Sequence, residues 1–287
     1  MFAILAIRFD GLELAILLHE QKRFSVFYIN PMAAKGYVGR GLLARAKSDR
    51  VDALALARMA LDDLGAPWSP PAPPLLQLRW MTRRIRGLVK DATRERNRLA
   101  AAEAGAAPKA VLDDVKANIE ALDRRIVAMR RQTAQFARSE ASLDDEVELL
   151  CTIPGVAEAT AVEVLGELRC MPDDLTCKQL VAQTGLDPRA SQSGRRDGPR
   201  RISKMGSKYL RATLHMATIN SSRWCPEVGE FYRVLTEDRN KHTLVARVAI
   251  ARKLLHCMHG MLRSGTPFDA SRFYNPPAPP EKSTASP

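Results

Sequence analysis

The chain has 287 residues, 46% of them hydrophobic, enough for two or three domains with cores of their own. No apolar run approaches the roughly 18 residues of a membrane span, which excludes a transmembrane protein, and the apolar start MFAILAI lacks the basic lead and cleavage site of a signal peptide. A formal net charge of +12 with a pI near 9.8 points to a polyanion, with nucleic acid as the default partner.

In chain order, FAILAIRF (2–9) reads as a buried strand, GLELAILLHEQ (11–21) as a helix and FSVFYIN (24–30) as a second strand. A basic loop, PMAAKGYVGRGLLARAK, then leads into a helix that carries Asp49 and Asp52, with Leu54, Ala55, Ala57, Met59 and Leu61 on its apolar faces. The alternation predicts a partly parallel α/β sheet. Two strands alone bury little, so the N-terminal domain, residues 1–66, reads as incomplete. Asp49 and Asp52 stand one helical turn apart. As a cap and a first-turn acid they would favour the helix start; as an oxygen pair they would suit a divalent metal.

GAPWSPPAPP contains a proline-rich linker, residues 67–74. Beyond it, Met81, Ile85, Leu88 and Ala92, then Val115, Ile119, Leu122, Ile126, Met129, Thr133 and Phe136, step by three and four with charged residues between. This predicts a coiled-coil hairpin over 75–145, two antiparallel helices turning near Gly105 and Pro108, available for pairing within the chain or between subunits as a homo-oligomer.

A mostly α C-terminal domain is expected over 146–270, followed by a disordered tail, 271–287. LLCTIPGVAEATAVEVLGEL has the outline of a helix-hairpin-helix, whose turn would face a phosphate, though Ala157 replaces the usual second glycine. An ordinary turn between core helices fits equally well. The stretch 183–217 then crowds Arg189, Arg195, Arg196, Arg200, Arg201, Lys204, Lys208 and Arg211 around few acids, with Gly194, Gly198 and Gly206 keeping the backbone mobile. That density predicts salt-dependent contact with nucleic acid. Ser193 sits in this loop, directly before Gly194. The five cysteines never form C-x-x-C and predict reduced thiols in a cytoplasmic protein. His256, Cys257 and His259 read as helix packing rather than a metal site.

The order of NP…AKSDRVDALALAR, a helical spacer, IPGVAEATAVEVLGEL, GLDPRASQSGRRDGPRRISKMGSKYLR and MLRSGTPFD resembles the transposases of the insertion-sequence 110/116/902 family over nearly the whole chain. That family joins a RuvC-like (RNase H-like) domain with four metal-binding acids to a C-terminal transposase domain bearing a serine. The resemblance implies that Asp49 and Asp52 are the last two of those acids and bind Mg2+. It implies that Ser193 is the nucleophile on a DNA phosphate, and that a structured guide RNA is a second partner. The first two acids of the set have no clear counterpart, since Asp10 and Glu13 only lie near the expected position of the second. The expectation is therefore an N-terminally truncated copy, or one with a misassigned start, of doubtful activity by itself. Two other readings compete: a non-catalytic nucleic-acid-binding remnant, and a metal-only junction nuclease indifferent to Ser193.

Overall fold

The computed structural model describes residues 2–5, 12–28, 49–59, 67–172, 174–189, 192–193, 196–197 and 201–275, in two compact units that divide between Ala72 and Pro73. The protein is mostly helical.

In the first unit, strand β1 (Phe2–Leu5), helix α1 (Leu12–Glu20) and strand β2 (Ser25–Tyr28) form a β-α-β unit. The strands pair in parallel, Phe2 opposite Ser25 through Leu5 opposite Tyr28. Parallel neighbours need a crossover between them, and α1 supplies it. Ala15, Val26 and Phe27 are buried, and the Trp68 N–H donates to the Val26 carbonyl at 2.7 Å. Helix α2 (Asp49–Met59) belongs to the same unit. The basic loop before it lies outside the described residues.

The second unit opens with two long helices, α3 (Pro73–Ala104) and α4 (Lys109–Ser139), which pack on each other as a hairpin. The turn falls at Gly105–Pro108, where Ala106 takes a positive φ of 51° and the Ala107 N–H reaches back to the Ala102 carbonyl. Leu88, Ala92, Leu122 and Ile126 form the buried seam, with Val89 and Met129 packed on it. Toward the tip, Val115 and Ile119 are only half-buried, because two helices alone leave one side of the stripe open.

A larger core gathers helices α5 (Ala141–Cys151), α6 (Glu158–Leu168), α7 (Cys177–Thr184), α8 (Lys208–Trp224), α9 (Pro226–Arg233) and α10 (Thr243–Ser264), closed by the short α11 (Ala270–Phe273). A π-helical turn, Val234–Asp238, follows α9. Leu150, Leu165, Leu180, Leu210, Leu214, Ile250, Leu254 and Met258 are fully buried there. His256, Cys257 and His259 fall on α10, and burial holds the His256 imidazole below the ordinary histidine range. Cys257 lies partly buried against the core. Residues 271–275, assigned to a disordered tail from sequence, belong in part to α11, whose Phe273 is 1% exposed. The structure corrects that boundary: Phe273 packs edge-on to Phe231 at 6.1 Å, and Lys253 lies 4.4 Å from the Phe231 ring.

The Pro154–Gly155 turn between α5 and α6 is packed inward. Ile153 and Val156 are buried, and Gly155, at φ 87°, lies so close to α8 that a Cβ there would sit 2.6 Å from the Asn220 and Ser221 backbone. At the start of α6, Arg138 pairs with Glu158, its Nε 2.8 Å from the carboxylate. That carboxylate already meets the positive end of the helix.

Candidate nucleic-acid interface

The basic segment begins where α7 ends. Gly185, at φ 67°, closes that helix, and the Leu186 N–H returns to the Val181 carbonyl. Beyond it, β3 (Pro188–Arg189) pairs antiparallel with β6 (Arg201–Ile202), and β4 (Gln192–Ser193) with β5 (Arg196–Asp197). The second pairing is nested within the first along the chain. Arg189 thus stands directly opposite Arg201, and Ser193 opposite Arg196. The sequence suggests a mobile loop around Ser193; the residue lies in a paired strand instead. The physical reason is spacing, since only Gly194 and Arg195 separate Ser193 from Arg196, the two-residue connection that closes a β-hairpin.

Arg189 and Arg201 are both exposed. Like charges directly opposite one another in an antiparallel pair repel and destabilise it. Among the described residues, neither arginine has a carboxylate within ion-pair distance, and the same holds for Lys204 and Lys208, also exposed. Lys208 opens α8, where the helix dipole already favours an anion. Its Nζ lies 5.0 Å from the centre of the Tyr209 ring. The nearby Asp187 carboxylate is engaged by the Ser203 hydroxyl. Arg195 and Arg200 lie outside the described residues.

Two expectations for this segment need correction. Gly206 does not lend the chain mobility: a Cβ there would sit 2.0 Å from the Gln183 carbonyl oxygen, so it is wedged against the end of α7. Arg211 is not offered outward. Its Nη1 donates to the carbonyls of Thr184 and Gly206, both at 2.9 Å, satisfying one acceptor at the end of α7 and another just before α8. Burial lowers its guanidinium from the ordinary arginine range.

The segment is anchored by groups that sequence reading missed. The Ser207 hydroxyl caps α8, accepting from the Leu210 N–H at 3.2 Å, and donates to Glu167 at 2.7 Å. Glu167 is 2% exposed and takes a two-point ion pair from Arg83 of α3. One turn earlier, Glu163 pairs with Arg86, and the Thr213 hydroxyl of α8 joins both, 2.9 Å from Glu163 and 2.8 Å from Arg86. The readable signal was two glutamates four apart in the otherwise apolar AVEVLGEL, matched by Arg83 and Arg86 in α3. Gly166 between them lets α3 approach, since a Cβ would meet Thr82 Oγ1 at 3.0 Å.

In the first unit, Asp49 and Asp52 occupy the first turn of α2, their backbone positions one turn apart on one side of the helix. Hard oxygen donors at that spacing suit Mg2+, which binds through one or two carboxylates and keeps several waters. Among the described residues, no group of three or more His, Cys, Asp or Glu side chains converges as a metal cluster. Glu13 is exposed in the first turn of α1, and Asp10 lies outside the described residues.

Comparison with known families now bears on this arrangement. A model described as "Transposase IS116/IS110/IS902 family" matches residues 147–233, the span holding the nested pairings and their anchor. A second, described as "Transposase" and of the DEDD type, matches residues 10–104, the span of Asp49 and Asp52. In both spans the chain is thus similar to transposases of the IS116/IS110/IS902 type. It is also 28% identical over 246 residues to proteins named "Pilin gene-inverting protein" from Moraxella bovis and Moraxella lacunata, covering 85% of this chain and 74% of each of theirs. The two matched spans between them contain the residues singled out from the sequence, Asp49 and Asp52 in one and Ser193 with the basic segment in the other. No helix among the described residues is long and apolar enough to cross a membrane.

Proposed function

We propose that this protein recombines DNA, with the basic segment 188–202 receiving a phosphate and Ser193 attacking it. The observation that carries the reading is the pairing of Arg189 with Arg201, two exposed cations held opposite each other that bracket the Ser193 pairing along the chain. An anion between them turns a repulsion into two charge-assisted contacts. In the reaction the Ser193 hydroxyl loses its proton as its Oγ bonds to phosphorus, while the phosphodiester bond to the neighbouring deoxyribose breaks and that sugar oxygen takes a proton. One phosphoester replaces another, so no external energy source enters. Arg189, Arg201 and Lys204 neutralise the charge gathered on the non-bridging oxygens.

Asp49 and Asp52 are the residues that would hold Mg2+, which when bound stabilises charge on the transferring phosphoryl group and its leaving oxygen. Two carboxylates bind this ion weakly, and further oxygen ligands complete its shell. The hairpin of α3 and α4, read as a coiled coil, serves self-association. A structured guide RNA is a second polyanion for the basic segment.

The test is DNA affinity measured across a salt series. Replacing Arg189 and Arg201 with Gln should weaken binding and flatten the plot of log affinity against log salt by about 0.9 for each phosphate no longer neutralised. An unchanged slope would remove the segment from the interface.

A further inference from the structure

We infer that the outer face of α4, from Arg124 to Gln135, docks the phosphate backbone of duplex DNA flanking the reacting site. The inference rests on the proposed recombination reading. The stretch Arg124–Ser139 contains Arg124, Arg125, Arg130, Arg131 and Arg138 and no acidic residue. Arg138 is spent on Glu158. Arg125, Arg130 and Arg131 are exposed, and no described carboxylate lies within ion-pair distance of them. Arg124 has only Glu120, at 3.8 Å, with both side chains more than 70% exposed, a pair worth little in water. The neighbouring Asp123 is already neutralised by two contacts from Arg96, at 2.6 and 2.8 Å.

Helical geometry organises these charges. Arg124, Val127, Ala128, Arg131 and Gln135 recur at three- and four-residue spacing on the side opposite the Leu122–Ile126 seam, with Arg125 and Arg130 on the two flanks. The face forms a shallow concavity of about 700 Å³, lined also by Asp123 and Gln132. Val127 is 66% exposed at its centre. Arg124 and Arg131 stand about 10 Å apart along the axis.

Charge complementarity decides the occupant. A second copy would bring the same cations against these, which repels; DNA brings one negative charge per roughly 1.7 Å of duplex. The hairpin is joined to the helices that anchor segment 188–202 by the Arg83–Glu167 and Arg86–Glu163 pairs, so both surfaces belong to one unit. A duplex entering the site continues beyond the reacting phosphate, and the stretch Arg124–Gln135 offers it a basic flank about 17 Å long.

The experiment titrates the full chain with a random-sequence DNA duplex of about 30 base pairs, and with an RNA duplex of equal length, over a salt series. In the triple variant Arg125→Gln, Arg130→Gln, Arg131→Gln, the DNA slope should become shallower by about two to three units, near 0.9 for each phosphate no longer neutralised. The matching Arg→Lys triple keeps charge and should keep the slope. If the Gln triple loses helicity, the three single variants replace it, each expected to lower the slope by about 0.9. An unchanged DNA slope overturns the inference. So does a change confined to the RNA duplex, or a change in sedimenting mass with DNA binding intact. If Arg189→Gln/Arg201→Gln flattens the slope while the α4 triple does not, this surface alone is wrong. If the Arg189/Arg201 variant has no effect, the recombination reading is the one that fails.

Discussion

Glu167 holds Arg83 in a two-point pair, accepts the Ser207 hydroxyl and is almost fully enclosed. A carboxylate so placed is stable only while its partners neutralise it, and the partners need it in turn. Glu167→Gln leaves Arg83 facing a neutral amide at a site it cannot leave cheaply. The expected loss is about 3–5 kcal/mol, read from the urea midpoint. Ser207→Ala, which removes one cap and one hydrogen bond, should cost about 1 kcal/mol. Equal losses would show that the buried pair is not the anchor. His256 adds a pH dependence. Burial lowers its folded pKa below 6.5, so the folded protein disfavours the imidazolium. Its contribution is complete above the unfolded pKa and fades as pH falls through the lower folded value. His256→Asn should remove that part of the acid-side slope of stability, and a slope that persists unaltered would place it elsewhere.

Among the elements, the hairpin was the easiest to read, because apolar steps of three and four are unambiguous over two helices and Gly105–Pro108 interrupts both. Its burial was less legible: periodicity marks a face but not its depth, and Val115 and Ile119 are only half covered. Ile126, 7% exposed beside Leu88 and Leu122, is where the seam is tightest. Ile126→Ala should cost about 2–3 kcal/mol, toward the low end for such truncations because the site is thin-walled. An unchanged thermal midpoint would remove Ile126 from the seam. The strands of the basic segment were not legible. Each pairing involves only two residues per strand, too short for alternation to register, and the many arginines and glycines resemble a loop. Gly155 and Gly206 illustrate the same limit: a glycine required by close backbone packing looks in sequence like one required by mobility.

For the whole molecule, the net charge of +12 foretold a polyanion but not where it would lie. The structure distributes the cations. Arg211, Arg83 and Arg86 are committed inside the fold, while Arg189, Arg201, Lys204 and Lys208 are presented outward, and the outer face of α4 carries a second group. Asp49 and Asp52 lie in the other compact unit, and their proposed role in holding Mg2+ rests on their spacing and on the transposase model that matches residues 10–104. Asp52→Asn should reduce Mg2+ binding in calorimetry without altering DNA affinity measured without the ion. A loss of DNA affinity instead would give Asp52 a structural role.

The central claim is that Ser193 bonds to a DNA phosphate, and trapping that bond tests it most directly. Wild-type protein incubated with Mg2+ and cleavable DNA, denatured and digested with protease, should yield a nucleotide-linked peptide whose mass and fragmentation place the phosphoester on Ser193. Ser193→Ala should yield none while binding DNA as before. An adduct that maps to another residue, or that survives Ser193→Ala, would contradict the account.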